Sequence, residues 1–306
     1  MSQSPLLLLD SASLYYRSYF ALPESMTAPD GRPHNAIRGF LTTIARLAEQ
    51  YRPAQIAACW DDDWRPQWRV DLLPSYKTHR LAEGGLAVAG EQTPDTLVPQ
   101  AEGLAQILDA MGVARPGAIG YEADDIIATL AGAAERPSIV VSGDRDLVQL
   151  VASDVQILMT VNGGMDKWPL LDPAGVLERF GVGPQQYVDL AVLRGDPSDG
   201  IPGVPGIGAK TASALITAHG SIEALLDAVA DGKTDRPLTP RLAGLLAENR
   251  ELIAAMKHVA TARFDAPITC TLEAPTVPAD AQRLRDLGEQ WGVSRYIEAL
   301  MAAFNH

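Results

Sequence analysis

Cysteine is scarce in this chain: 306 residues hold only Cys59 and Cys270, and Cys59 sits inside the apolar run Ile56-Ala57-Ala58-Cys59-Trp60. That scarcity excludes a disulfide framework and a cysteine zinc site. Positive charge is also short, with 25 lysines and arginines against 38 acids for a net charge of −13. A protein that coats nucleic acid by bulk electrostatics carries the opposite sign. No window approaches the ~18 apolar residues of a membrane span. The N-terminal LLLLD has no basic stretch before it and no small-residue cleavage site after it. The expectation is a cytoplasmic protein with no membrane partner.

The hydrophobic fraction of 47% and the charged fraction of 21% suffice for one large domain or two small ones. In the first half, short apolar runs at 6–9, 56–60, 138–142 and 155–161 alternate with helical periodicities at 36–50 and 100–111. This alternation predicts a parallel sheet flanked by helices. Beyond residue 170, helical patterns separated by Gly and Pro take over, at 222–230, at 240–258 and at 280–304 with a break near Gly292. The interval 81–95, LAEGGLAVAGEQTPD, reads as a mobile excursion.

Three predicted strands run straight into aspartate: LLLLD at Asp10, IAACWD at Asp61, and SIVVSGDRD at Asp144 and Asp146. Parallel strands place such ends on one edge, where open α/β folds bind ligands. YEADDIIATLA adds Glu122, Asp124 and Asp125 at a helix start, and LRGDPSDG adds Asp196 and Asp199 from a loop. One strand-end aspartate is ordinarily a turn residue or a helix cap. Nine carboxylates in one cleft, with no histidine in their motifs, repel unless a cation neutralises them. Oxygen-only donors select magnesium or manganese over zinc, and two such ions can hydrolyse a phosphodiester.

Two further segments suit a phosphate backbone. GVPGIGAKTASALI carries Gly203, Gly206 and Gly208 before a helix beginning near Ala209, so free N–H groups and Lys210 can meet a phosphate without reading a base. Segment 64–80, WRPQWRVDLLPSYKTHR, sets Arg65, Arg69, Lys77 and Arg80 against the single acid Asp71, and Trp64, Trp68 and Tyr76 offer stacking surfaces. Pro66 and Pro74 argue against one continuous helix there. In SLYYRSYFAL most aromatics read as core, with Arg17 the exception.

In their order, LLLLDSASLYYRSYFALP, WDDDWRPQWRVDLLPSYKTHR, YEADDIIATLA, SGDRDLVQL and LRGDPSDGIPGVPGIGAKTA resemble the bacterial 5′ nuclease (flap endonuclease) family, similar to the N-terminal 5′-3′ exonuclease domain of DNA polymerase I. The resemblance spans residue 6 to about residue 258. It implies a mixed, largely parallel α/β sheet flanked by helices (a PIN-like core over 1–170), an arch over about 64–98, and a helical DNA-binding region over 171–306 with a helix–three-turn–helix at about 185–220. It also implies Asp10, Asp61, Glu122, Asp124 and Asp125 around one metal ion and Asp144, Asp146, Asp196 and Asp199 toward another. Lys77 and Arg80 would lie beside the scissile phosphate, with Tyr76 as the arch aromatic and Arg17 near the 5′ end. Gly203, Gly206, Gly208 and Lys210 would form the duplex grip, whose carbonyls in relatives also hold potassium. The expected activity is divalent-metal hydrolysis of DNA at 5′ flaps, 5′ ends and RNA-primed ends, in primer processing and repair. At this length the expectation is a free-standing, monomeric nuclease without a polymerase.

The chain departs from the pattern in three places. One aspartate usually follows the second strand, and here Asp61-Asp62-Asp63 stands instead; strand phase favours Asp61 and leaves Asp62 open. The stretch after Arg80 is longer and glycine-rich. Gly200 stands where relatives usually carry asparagine, a change expected to alter only a turn.

Overall fold

The computed structural model describes residues 3–82, 85–88, 91–92 and 94–305. In chain order the first half runs β1 (Leu6–Asp10), α1 (Ser11–Ala21), α2 (Asn35–Tyr51), β2 (Gln55–Cys59), α3 (Gln67–Leu72), β3 (Leu81–Ala82), β4 (Gly85–Val88), β5 (Glu91–Gln92), α4 (Val98–Met111), α5 (Ala123–Ala133), β6 (Ser138–Ser142), β7 (Val155–Met159) and β8 (Leu170–Leu171). The second half is α6 (Pro173–Phe180), α7 (Tyr187–Arg194), α8 (Ala209–His219), α9 (Ile222–Ala230), α10 (Pro240–Glu248), α11 (Arg250–Ala260), α12 (Ala281–Trp291) and α13 (Ser294–Phe304). Among the described residues no helix is long and apolar enough to cross a membrane.

The main sheet has the order β2-β1-β6-β7-β8. Its first four strands are parallel and β8 closes it antiparallel to β7, so the sheet is mixed but largely parallel. β1 is buried on both faces, which is why it reads as an unbroken leucine run. Successive side chains point to opposite faces: Leu7 and Leu9 enter a core with α2 and α4, while Leu6 and Leu8 enter a second core with α5.

The elements arise from local chemistry. Asp172 caps α6 by accepting from the Gly175 N–H at 2.8 Å, with Pro173 at the first helical position and Gly181 closing the helix at φ +73°. The single helix expected over 240–258 is two, divided at Asn249, whose side-chain amide donates to the Leu245 carbonyl at 2.8 Å. A short polar side chain competes in this way with the backbone ladder.

Helices α12 and α13, expected with the helical region 171–306, pack instead into the first core. Leu284, Trp291, Ile297, Leu300 and Phe304 join Ile37, Phe40 and Ile44. Trp291 lies against Gly103 of α4, where an added Cβ would come within 2.5 Å of its ring. Helices α7 to α11 build a separate core, into which Leu73 and Tyr76 insert.

In the segment expected as the arch, α3 starts after Pro66 and ends at Leu72, with Leu73 capping it just before Pro74. A 3₁₀ turn, Thr78–Arg80, then leads into the antiparallel strands β3, β4 and β5. The mobility expected for 81–95 falls in part on Glu83, Gly84, Ala89, Gly90 and Thr93, which lie outside the described residues.

Gly200 does more than shape a turn. Its φ is +69°, and an added Cβ would come within 2.1 Å of the Ser75 carbonyl oxygen, so this glycine lets the loop after α7 close against the segment after α3. The Ser75 hydroxyl donates to the Gly200 carbonyl across the same contact at 2.8 Å. Gly200→Ala is expected to cost about 2 kcal/mol or more. An unchanged urea midpoint would contradict the close approach.

Candidate active site

The parallel register sets the site. Asp10 ends β1 opposite Cys59 of β2, so Asp61 follows two residues past that partner; on the other side Leu9 faces Val141, putting Ser142, Gly143 and Asp144 at the same edge. There a cleft of about 910 Å³ is lined by Asp10, Asp61, Glu122, Asp124, Asp144 and Asp196, with Lys77, Arg80 and Arg17 also in its wall. Asp146 and Asp199 stand just behind the lining, close enough for Asp144 and Asp199 to raise the Asp146 pKa. Eight of the nine predicted acids thus gather within or beside one cleft, with Arg17, Lys77 and Arg80 in its wall.

Each acid is fixed by its local structure. Asp10 caps α1 by accepting from the Ser13 N–H at 3.1 Å, and its other oxygen accepts from the Ser142 hydroxyl. That hydroxyl also accepts from the Asp144 N–H at 2.8 Å. Asp61 accepts from the Ala123 N–H at 2.8 Å, joining the end of β2 to the positive start of α5. The neighbouring acids do other work: Asp63 accepts from the Gly120 N–H at 3.2 Å, and Asp62 lies against Gly117. The structure therefore turns Asp61, not Asp62, toward the cleft.

Burial and nearby carboxylates raise Asp10, Asp124 and Asp144. Desolvation, then Asp61 and Asp144 against the opposing hydrogen bonds, brings Asp10 to about 7. Asp124 is pushed well up by burial, then by Asp144 and Asp10. Asp144 rises through burial and Asp199. Among the described residues no three His, Cys, Asp or Glu side chains already form a ready metal-holding group; the acids ring a cavity instead.

Three sequence expectations change. Tyr76 is not a stacking surface, because it is 2% exposed and its hydroxyl donates to Glu122 Oε2 at 2.6 Å. Arg69 is no guide for DNA: it is 2% exposed and ion-paired with Glu122 at 3.1 Å and Asp125 at 2.8 Å. Asp125 faces away from the cleft, with both carboxylate oxygens taken by Arg69 and by the N–H groups of Glu122 and Arg263. Buried charges need such partners, and here the partners come from segments far apart in sequence.

Lys77 stays in the cleft wall, donating to Glu122 Oε1 at 2.8 Å. Its φ of +48° is unusual for a residue with a side chain, and its N–H donates to the Asp199 carbonyl at 3.0 Å. Arg80 meets Asp199 at 3.0 Å and the Ser198 carbonyl at 2.7 Å. Arg17 donates to the carbonyls of Val161 and of Gly163 and lies over the Trp168 ring, 5.2 Å from its centroid. Away from the cleft, Gly203 and Gly206 adopt φ of +73° and +88° in the α7–α8 hairpin, while Gly208 and Lys210 are exposed at the start of α8.

Sequence reasoning missed Ser142, Ser13, Tyr15, Trp60 and Thr160, of which Ser13, Tyr15, Trp60 and Thr160 line the cleft. For Ser142 the signal was its place between the strand and Asp144 in SIVVSGD.

A largely parallel sheet with carboxylates along one edge and a helical hairpin beside it defines a nuclease class of α/β fold, and the comparisons bear this out. The bacteriophage T5 flap endonuclease, solved with DNA and metal ions, superposes with a TM-score of 0.65 at 18% identity, covering 99% of this chain and 100% of that one. Residues 5–181 match the 5′-3′ exonuclease N-terminal resolvase-like domain, and residues 182–283 match the 5′-3′ exonuclease C-terminal SAM fold. A 5′-3′ exonuclease of Mycobacterium tuberculosis is 47% identical over 99% of this chain and 98% of its own length. DNA polymerase I of the same species is 38% identical over 84% of this chain, which spans 28% of that polymerase. The chain belongs to the 5′-3′ exonuclease family and is a 5′ nuclease.

The raised Asp10 pKa has a stability consequence. Between about pH 4 and pH 7 the folded chain keeps a proton that the unfolded chain has released, so this group's contribution to stability falls as pH rises. In EDTA, the Tm of Asp10→Asn relative to wild type should therefore climb across that window. A difference that stays flat with pH would contradict the burial described.

Proposed function

We propose that the cleft hydrolyses phosphodiesters at 5′ ends and 5′ flaps of DNA with divalent magnesium or manganese, in primer processing, including RNA-primed ends, and in repair. The observation that carries this reading is the ring of buried and half-buried acids on the sheet edge, with Lys77 and Arg80 in the same wall. The T5 flap endonuclease, solved with both DNA and metal ions, points the same way. The donor set fits such ions: it is oxygen only, and burial plus repulsion leave it short of positive charge. Asp10, Asp61, Asp124, Asp144 and Asp196 would hold them, with Asp146 and Asp199 adjacent. When bound, divalent ions lower the pKa of a water and absorb charge on the phosphate.

The chain's own groups do the rest. Lys77 and Arg80 hold the scissile phosphate and stabilise the charge it gains in the transition state. Arg17, at the Val161–Gly163 turn, lies where a 5′ end can be met. The exposed start of α8 offers N–H groups and Lys210 to a duplex backbone at Gly206 and Gly208, with Gly203 shaping the hairpin by packing against Gly195, and a potassium ion on that loop's carbonyls belongs to the same reading. With the bulk charge at −13, DNA contact is confined to these places. The same reading takes the enzyme to be cytoplasmic and monomeric.

The test is a 5′-labelled flap substrate in magnesium or manganese. Wild type should release the labelled flap, and the double variant Asp144→Asn with Asp146→Asn should not; an uncut flap with wild type in both metals refutes the proposal. For the grip, Lys210→Ala should weaken duplex binding at low salt and reduce the salt slope by about 1. Unchanged affinity and slope would remove Lys210 from the interface.

A further inference from the structure

Arg69 sits at a junction of three parts of the fold. From α3 its Nη1 donates to Glu122 Oε2 at 3.1 Å and to Asp125 Oδ2 at 2.8 Å, its Nη2 to Asp125 Oδ1 at 2.8 Å, and its Nε to the Val259 carbonyl of α11 at 3.1 Å. The guanidinium lies over the Trp68 ring, 4.6 Å from its centroid, and faces Tyr76 at 5.9 Å. Glu122, 3% exposed, receives Arg69 and the Tyr76 hydroxyl on one oxygen and Lys77 on the other. Both Glu122 oxygens are thus committed to protein donors, and the Lys77 ammonium is held by a carboxylate that Arg69 holds in turn.

We propose that Arg69 is a positioning residue for the cut: it fixes Glu122 and, through Glu122, sets where the Lys77 ammonium stands in the cleft. This rests on the reading of Lys77 as the phosphate contact. Glu122 then serves as the anchor of Lys77 and not as a metal ligand. A lysine at position 69 cannot reproduce the arrangement, because one ammonium does not span two carboxylates in the fixed fork of a guanidinium.

In flap cleavage Arg69→Lys should lower kcat about 10-fold to 100-fold, while KM, the magnesium concentration at half-maximal rate and the affinity for flap DNA in EDTA stay at wild-type values. In a Lys77→Met background the further loss from Arg69→Lys should shrink to under about 2-fold, because the two residues act through one arrangement. An equal loss in both backgrounds overturns the proposal, as does a change in KM with kcat intact. If Arg69→Lys does not fold, Glu122→Gln decides: the same kcat loss at unchanged magnesium dependence supports the anchor role, and a raised magnesium requirement makes Glu122 a ligand and overturns it. Wild type that leaves the flap uncut would overturn the proposed function itself, a result distinct from any of these.

Discussion

Repulsion between carboxylates held in a half-dry cleft is the constraint around which this fold is arranged. Asp10, Asp124 and Asp144 all carry pKa values raised by burial and by neighbouring carboxylates. Such a cluster costs stability in the empty protein. The surrounding structure meets that cost locally: the Ser142 hydroxyl serves Asp10 and Asp144 together, the start of α5 faces Asp61, and Arg69 and Lys77 neutralise Glu122. The cost is concentrated at one sheet edge, where carboxyls with raised pKa values mark a candidate functional site.

Much of this was legible in the sequence because a parallel sheet converts one-dimensional position into spatial proximity. Once 6–9, 56–60 and 138–142 read as neighbouring strands, Asp10, Asp61 and Asp144 had to share an edge, and they do. The hairpin before α8 was legible because a close run of glycines permits a left-handed backbone, and Gly203 and Gly206 adopt φ of +73° and +88° there. What was not legible depended on pairing between distant segments. Nothing within WRPQWRVDLLPSYKTHR says that Arg69 turns inward to Glu122 and Asp125 while Lys77 and Arg80 reach the cleft wall. The same holds for Tyr76, an aromatic beside cations whose hydroxyl finds a buried carboxylate 46 residues away.

The segment after β2 consequently serves two purposes. Its inward residues, Arg69, Leu73 and Tyr76, bind the helical core and α5 together, and Lys77 and Arg80 lie along the cleft. Gly200 permits the contact by letting the Ser75 backbone come close, and Lys77 accepts an uncommon backbone conformation next to it. Positions on this strip are therefore read best by their partners and not by their charge.

The return of α12 and α13 to the face of α2 and α4 gives the chain an unusual order of assembly. The helices that complete the first hydrophobic core follow α11 in the chain, so they are made after the helical core of α7 to α11 has all its residues in hand. Contacts of such long sequence separation form slowly. During synthesis Ile37 and Phe40 therefore lack their partners Ile297, Leu300 and Phe304 until α13 has been made, although Leu104 and Leu108 of α4 are in hand much earlier.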